Sequence, residues 1–187
     1  MKGNLPEPFS NNLIFWDTEF SSLDPYEGEI LSIGMAKMNG EELYLEVEHS
    51  GGVSDWVREN VLPQLNEPKI SRKEAAKRIM GFTGEGMPYL MAYVQVFDVP
   101  YLYKMFGVDD SKNNKTLPFN WIPIDFASVL FAYGYSPEEL VTAKREKFCR
   151  KLGMKTSGYR EHHALDDAKF LRDVYIRLTK SGKSASE

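Results

Sequence analysis

The chain has 187 residues, of which 42% are hydrophobic and 27% are charged, and its formal net charge at pH 7 is −4. These values predict one folded domain over residues 1–187 and exclude a disordered chain. The one cysteine, Cys149, excludes an internal disulfide framework and a multi-cysteine zinc site. No apolar run has the length of a signal core or a membrane span, so we expect a cytoplasmic protein without a membrane partner.

The first half of the chain predicts three strands and two helices. Leu13–Phe20 is a mainly apolar strand that ends in acidic residues. Two further strands, over 29–38 and 41–48, flank Asn39-Gly40, a dipeptide that tolerates the positive φ angles of a tight antiparallel turn. Ser54 is expected to cap a short helix that ends before Pro63. The capping box Ser71-Arg-Lys-Glu74 opens a helix to about Gly81.

The second half predicts alternating helices and strands. Asp125 is expected to cap a helix, and Ser136 opens a helix that runs to Leu152. The remaining elements are strands over 89–94 and 121–124, helices over 100–106 and 164–180, a polar loop over 109–116 and a flexible tail over 181–187. The ordered core is therefore expected over about 12–180. This order predicts an α/β fold with a mixed five-stranded sheet, its first three strands antiparallel, flanked by helices.

Acidic residues end the first strand. Successive strand residues point to opposite faces, so Asp17 and Glu19 share one side while Thr18 points away. Two neighbouring carboxylates beside apolar residues repel each other and are costly to bury unless a cation neutralises them. Hard oxygen ligands favour magnesium or manganese. An ordinary exposed strand end is the alternative interpretation of the pair.

Two later segments carry the other candidate residues. Asp98 follows the predicted fourth strand, where its alternative role is to cap the next helix. His162 and Asp167 are five positions apart and do not share a helix face. If both serve one site, His162 must precede the helix and Asp167 must project from its first turns. Their alternative roles are those of residues that favour a helix N-terminus.

A basic run leads to His162. Between Lys144 and Arg160 the sequence has seven lysines and arginines, including Lys155, and one acid, Glu146. The run fits a strip that binds the phosphates of a short or single-stranded nucleic acid, so Lys155 and Arg160 are candidate substrate-binding residues. A solvated helix face is the alternative.

The order Asp-x-Glu, Phe-Asp and His-x(4)-Asp resembles the DEDDh superfamily of 3′-to-5′ exonucleases, which has a ribonuclease H-like fold. The likeness spans residues 13 to 178, and His163 excludes the branch that has tyrosine four places before the last aspartate. The resemblance implies that four acids hold two Mg²⁺ or Mn²⁺ ions and that His162 is the general base, since histidine ionises near neutral pH. The four acids are Asp17, Glu19, Asp98 and Asp167.

Finer features of the sequence bear on the substrate. Val94 stands where many members of the superfamily have asparagine. This departure, together with Asp-Thr-Glu-Phe20 and the segment 56–63, is similar to compact bacterial exoribonucleases of mycobacterial type. The resemblance therefore implies single-stranded RNA 3′ ends as substrate, with Phe20 stacking on the terminal base or else packing in the core. The alternatives are an exonuclease for DNA 3′ ends and an inactive binding module, and analogy adds a possible homodimer.

Overall fold

The computed structural model describes residues 12–107 and 117–183, with side chains up to 179. The strands are β1 (Leu13–Phe20), β2 (Ile30–Lys37), β3 (Glu42–Glu46), β4 (Tyr89–Ala92) and β5 (Ile124–Asp125). The helices are α1 (Asp55–Asn60), α2 (Arg72–Thr83), α3 (Asp98–Phe106), α4 (Phe126–Ala132), α5 (Thr142–Lys151) and α6 (Ala164–Lys183). Short 3₁₀ segments cover Leu62–Gln64 and Pro137–Leu140.

The five strands form one mixed sheet in the order β3-β2-β1-β4-β5. β1 pairs with β2, and β2 with β3, in antiparallel fashion, while β4 runs parallel to both β1 and β5. The predicted hairpin is confirmed, and Gly40 at its turn has a φ of 91°. The predicted α/β fold class is thus confirmed, with β1 in the centre of the sheet.

The two faces of the sheet have separate cores. Trp16 packs with Tyr101 and Leu102 of α3, whereas its neighbour Phe15 packs with residues of α6 such as Leu171. This alternation along β1 is that of a strand buried on both faces. Continued along the strand, it directs Asp17 and Glu19 toward α6 and directs Thr18 toward α3.

Several predicted boundaries differ from those of the structure. β4 ends at Ala92, because Val94 has a φ of 56° that no strand can continue. The fifth strand is Ile124–Asp125 instead of 121–124. The helix expected from Ser136 to Leu152 is a 3₁₀ segment and α5, separated by the extended backbone of Val141. Helix α6 continues to Lys183, three residues into the expected tail.

Other predicted elements are confirmed. The side chains of Ser54, Ser71 and Asp125 each accept a hydrogen bond from the first turn of the helix that they cap. The predicted loop 109–116 and residues 184–187 lie outside the described residues. Within the described part of the chain, no helix combines the length and apolar character that crossing a bilayer requires.

Candidate active site

Three carboxylates meet where the end of β1 faces the start of α6. One oxygen from each of Asp17, Glu19 and Asp167 lies within 4.8 Å of the other two. Glu19 is 8% exposed, so this is not an ordinary exposed strand end. The sheet and the helix therefore bring Asp167 beside Asp17 and Glu19, from which it is far apart along the chain.

Asp98 reaches the same cavity from the other face of β1. It is the first residue of α3, and its Oδ1 accepts hydrogen bonds from the backbone nitrogen of Thr18 at 3.1 Å and from the Thr18 hydroxyl at 2.6 Å. Asp98 follows β4, as predicted, but five residues separate it from the end of that strand at Ala92. The alternative that Asp98 caps α3 is wrong, since Phe97 occupies the cap position. Thr18 points away from Asp17 and Glu19 as predicted, and there it anchors the fourth acid.

A glycine permits the close approach of α6 to the sheet. Gly34 of β2 pairs with Asp17, and a Cβ atom built on it would lie 2.2 Å from the carbonyl carbon of Ala164 and from the nitrogen of Leu165. Any larger residue would therefore displace the first turn of α6. This contact sets the distance from Asp167 on α6 to Asp17 on β1.

His162 precedes α6, as the spacing predicts. Its φ is 60°, and its backbone nitrogen donates to Oδ2 of Asp167 at 3.0 Å. Its ring lines the cavity and meets Trp56 in an edge contact, with the ring centroids 4.8 Å apart. A non-glycine residue in the left-handed region is uncommon, and these neighbours hold His162 in that conformation.

The carboxylates of the cavity are electrostatically unfavourable to one another. Burial, and then the nearby charge of Asp98, Glu19 and Asp167, raises the pKa of Asp17 well above its usual range. Burial and the charges of Asp167 and Asp98 raise the pKa of Glu19 to about 8. Burial raises the pKa of Asp98 to about 6 despite the hydrogen bonds from Thr18. Such a group of acids is stabilised by a bound cation.

The surrounding cavity has a volume of about 830 Å³. This volume lies within the usual range for small-molecule sites. Its walls are largely apolar, and Phe97 and Trp56 at its edge are 45% and 53% exposed. The aromatic residues that line it are Trp16, Phe20, Trp56, Tyr93, Phe97 and Phe170.

The predicted substrate-binding residues lie in different places. Phe20 lines the cavity and stacks on Tyr101, with centroids 4.8 Å apart and an interplanar angle of 3°. Arg160 is instead bound to Asp166, with its Nε 2.7 Å from Oδ2. Lys155 is exposed, and neither it nor Arg160 is among the described residues that line the cavity.

Much of the basic run is engaged in ion pairs. Those pairs are Lys144–Glu138, Arg145–Asp167, Arg150–Glu146, Lys151–Glu139 and Arg160–Asp166. The exposed pairs among these, Lys144–Glu138 and Arg150–Glu146, contribute little stability and are easily exchanged. Arg145 differs from the others because its side chain is only 12% exposed and lines the cavity.

Val94 has a backbone conformation that is unusual for valine. Its φ of 56° lies in the left-handed region, which asparagine adopts more readily than a β-branched residue. The Val94 nitrogen donates to Oδ1 of Asp125 at 3.0 Å, which holds this conformation. An asparagine at this place would meet the same backbone demand with less strain.

Sequence reasoning missed Thr18, Trp56 and Arg145 as residues of the site. Thr18 carries a signal in retrospect, since a hydroxyl between two acids can bind a third. Arg145 is one of several basic residues in its segment, and its position along the sequence does not distinguish it from Lys144 or Lys147.

No protein-family model matches the chain, but a curated protein and solved structures are similar to it. A PolC-type DNA polymerase III from Thermotoga maritima is 27% identical over 177 residues, which cover 89% of this chain and 12% of the polymerase. The zinc-bound E. coli ExoI–ssDNA complex matches 92% of this chain and 41% of its own, with a TM-score of 0.68 and 15% identity. One chain in the structure of the yeast NOT1 MIF4G domain co-crystallised with CAF1 is similar over 89% of this chain and 80% of its own length, with a TM-score of 0.55 and 11% identity.

The structural matches show the fold, which is the ribonuclease H-like α/β fold of exonuclease I. The chain spans 12% of the length of the polymerase and 41% of the exonuclease I chain that it matches.

Proposed function

We propose that this protein is a metal-dependent 3′-to-5′ exoribonuclease. It would remove nucleoside 5′-monophosphates from the 3′ end of single-stranded or short-overhang RNA. The observation that carries the proposal is the convergence of Asp17, Glu19 and Asp167 within 4.8 Å in a large cavity that Asp98 and His162 also line. A site with these groups suits phosphodiester hydrolysis.

The donor set fits the predicted cations. All four acids offer oxygen atoms, and the cavity brings no cysteine beside them among the described residues, so Mg²⁺ or Mn²⁺ is favoured over softer metals. Asp17, Glu19, Asp98 and Asp167 would hold two ions. When bound, the ions supply positive charge to the scissile phosphate and lower the pKa of water.

His162 is the candidate general base. It would accept a proton from the attacking water, whose oxygen then bonds to phosphorus while the 3′-oxygen of the preceding nucleotide leaves and is protonated. The edge contact with Trp56 and the hydrogen bond from its backbone to Asp167 restrict where the ring can point. This restriction favours a base that is already oriented before substrate binds.

The walls of the cavity fit an unpaired strand. Phe20 would stack on the terminal base, as aromatic residues do in proteins that bind single strands. Arg160 and Lys155 lie outside the cavity lining, and they would contact phosphates farther along the strand. RNA is proposed in preference to DNA because of the resemblance to compact bacterial exoribonucleases, which includes the segment 56–63.

A 3′-to-5′ exodeoxyribonuclease is the second candidate. It is favoured by the likeness to a DNA polymerase of PolC type and to an exonuclease whose complex contains single-stranded DNA. The chain spans 12% and 41% of those two proteins, so their substrates pass to this chain only as candidates.

One digestion series tests the function. RNA and DNA of the same sequence, labelled at the 5′ end or at the 3′ end, are incubated with the protein and Mg²⁺, Mn²⁺ or a chelator. The proposal predicts a ladder of shortened 5′-labelled RNA, mononucleotide release from the 3′ label, slower loss of DNA, and no reaction with chelator. Faster loss of DNA would favour the second candidate. Reaction with chelator, or no hydrolysis of either polymer, would overturn both.

A further inference from the structure

Arg145 holds an unusual position in the cavity. Among the described residues that line it, Arg145 is the one lysine or arginine. Its guanidinium carbon lies 3.7 Å from the centroid of the Phe170 ring, and the side chain is 12% exposed. The ring fixes one face of the guanidinium, as is common for arginine on an aromatic surface.

The carboxylate of Asp167 is held from two sides. Nη1 of Arg145 donates to Oδ1 at 3.2 Å, and the backbone nitrogen of His162 donates to Oδ2 at 3.0 Å. A carboxylate with a donor on each oxygen has little freedom to rotate about its terminal bond. Glu161, whose Oε1 is 3.8 Å from the same Nη1, adds a weaker contact that keeps the guanidinium in place.

We infer that Arg145 is a positioning residue that sets the orientation of Asp167 for the cation. The inference rests on the proposed function, since it assigns a role within the same site. Arg145 touches neither the cation nor the substrate in this role and acts through Asp167. Outer partners of metal ligands typically change metal affinity by about 10–100-fold when they are removed.

The charge of Arg145 and its hydrogen bond to Asp167 predict opposite effects on cation binding when Arg145 is replaced. This difference makes the inference testable. Removing a positive charge beside the acids would by itself strengthen the binding of a divalent cation. Removing the hydrogen bond would free Asp167 to rotate and would weaken binding. A positioning role therefore requires weaker cation binding from a change that makes the cavity more negative.

The test compares Arg145→Met, Arg145→Lys and the unchanged protein, with Arg78→Met as a matched control. Arg78 also pairs with a carboxylate, with its Nε 2.9 Å from Glu74, but on the exposed surface of α2. Mn²⁺ affinity is measured by calorimetry without nucleic acid, and kcat and KM are measured on labelled RNA at saturating Mn²⁺. The melting temperature without metal checks folding.

We expect Arg145→Met to weaken Mn²⁺ binding about 10–100-fold with kcat lowered and KM little changed. Arg145→Lys should bind Mn²⁺ almost as weakly, because an ammonium keeps the charge without the planar fork. Arg78→Met should match the unchanged protein. If Arg145→Met does not fold, the lysine variant carries the test.

Unchanged or tighter Mn²⁺ binding by the Arg145 variants would overturn the inference. A raised KM at unchanged Mn²⁺ affinity would also overturn it, because Arg145 would then contact the substrate phosphate. In both cases the unchanged protein still binds Mn²⁺ and degrades RNA, so the proposed function survives. Failure of the unchanged protein to bind Mn²⁺ would overturn both.

Discussion

Asp166 and Asp167 are neighbours on α6, and their surroundings shift the pKa values of their carboxyl groups in opposite directions. Burial alone would raise the pKa of Asp166, but the hydrogen bonds from Arg160 and the charges of His163 and Arg160 together outweigh burial and lower that pKa. Burial raises the pKa of Asp167, and Arg145 and His162 offset it only in part. One turn of helix therefore carries one carboxylate whose pKa is lowered by its partners and one whose pKa stays raised despite them.

The two residues belong to two regions. Asp166 belongs to a paired cluster that also contains Tyr44, Glu46, Arg160 and His163. Tyr44 stacks on His163 at 4.4 Å, and Oε1 of the buried Glu46 accepts from the Tyr44 hydroxyl and from two backbone nitrogens.

The second region is the acidic cavity, formed by Asp17, Glu19, Asp98 and Asp167. In this cavity, neighbouring carboxylates raise the pKa values of Asp17 and Glu19. The difference indicates that the paired cluster stabilises the fold, whereas the cavity keeps a charge imbalance that a cation can relieve.

The largest expected effect comes from removing one acid of the cavity. We expect Asp17→Asn to lower turnover by about 10⁴-fold, the scale on which one member of a cooperating catalytic set acts. Its melting temperature without metal should rise, since one repulsive charge is lost. Asp166→Asn should do the reverse, with most turnover kept and stability lowered by about 1–2 kcal/mol. Steady-state kinetics and thermal unfolding measure both, and equal effects of the two variants would refute the contrast.

His162 and His163, which are adjacent in the chain, give the second comparison of the two regions. We expect His162→Ala to lose about 10²–10⁴-fold in turnover while it keeps Mn²⁺ binding and stability, because it removes only the base. His163→Ala should mainly lower stability, since His163 is buried against Tyr44 in the paired cluster. Turnover per folded molecule and Mn²⁺ titration separate the two. Unchanged turnover in His162→Ala would contradict its assigned role.

A change at Gly34 should disturb both regions together, because it displaces the start of α6. We expect Gly34→Ala to lower stability by about 1–3 kcal/mol or more, since its Cβ would meet backbone atoms at 2.2 Å. Gly81→Ala on α2 has open space around the added Cβ and should raise stability by about 0.5–1 kcal/mol. Chemical unfolding of both variants measures the difference. A stable, active Gly34→Ala protein would contradict the proposed seating of α6.

The smallest effect is a pH dependence that belongs to the cavity. Glu19 and Asp98 have folded pKa values of about 8 and about 6, both above their values in an unfolded chain. Carboxyls with raised pKa favour the folded state at low pH, and this stability is lost as the pH rises through about 6 to 8.

The melting temperature with chelator should therefore fall by a few degrees from pH 6 to 9. The fall should be smaller in Glu19→Gln and smaller in Mg²⁺. A melting temperature that rises over this interval would show that the raised carboxyl pKa values do not govern stability.

The sequence predicted much of the scaffold. β1, the hairpin and the start of α6 follow from local patterns, namely apolar runs, a turn dipeptide and helix caps. The place of Asp98 does not follow from such patterns, because its bond to Thr18 joins residues 80 positions apart. The left-handed conformation of Val94 ends β4 early for a similar reason, since Asp125 holds it from 31 positions away.

The acidic residues of the site could be predicted from the sequence better than its basic residues. The spacing of Asp17, Glu19, His162 and Asp167 indicates chemistry because few other functions need those groups in that order. A basic residue is common at any position of an exposed helix, and Arg145 is distinguished by its packing against Phe170 and its ion pair with Asp167. Which basic residues face the cavity depends on how α5 sits against α6, and local periodicity does not contain that information.

We expect the acidic cavity to hold divalent cations. This expectation is tested by calorimetric titration of the metal-free protein with Mn²⁺ at pH 7.5, in two buffers of different ionisation enthalpy. We predict binding that releases protons, since carboxyls of raised pKa must ionise to bind metal, and binding that is lost in Glu19→Gln. Absence of binding, or equal binding by Glu19→Gln, would contradict the claim.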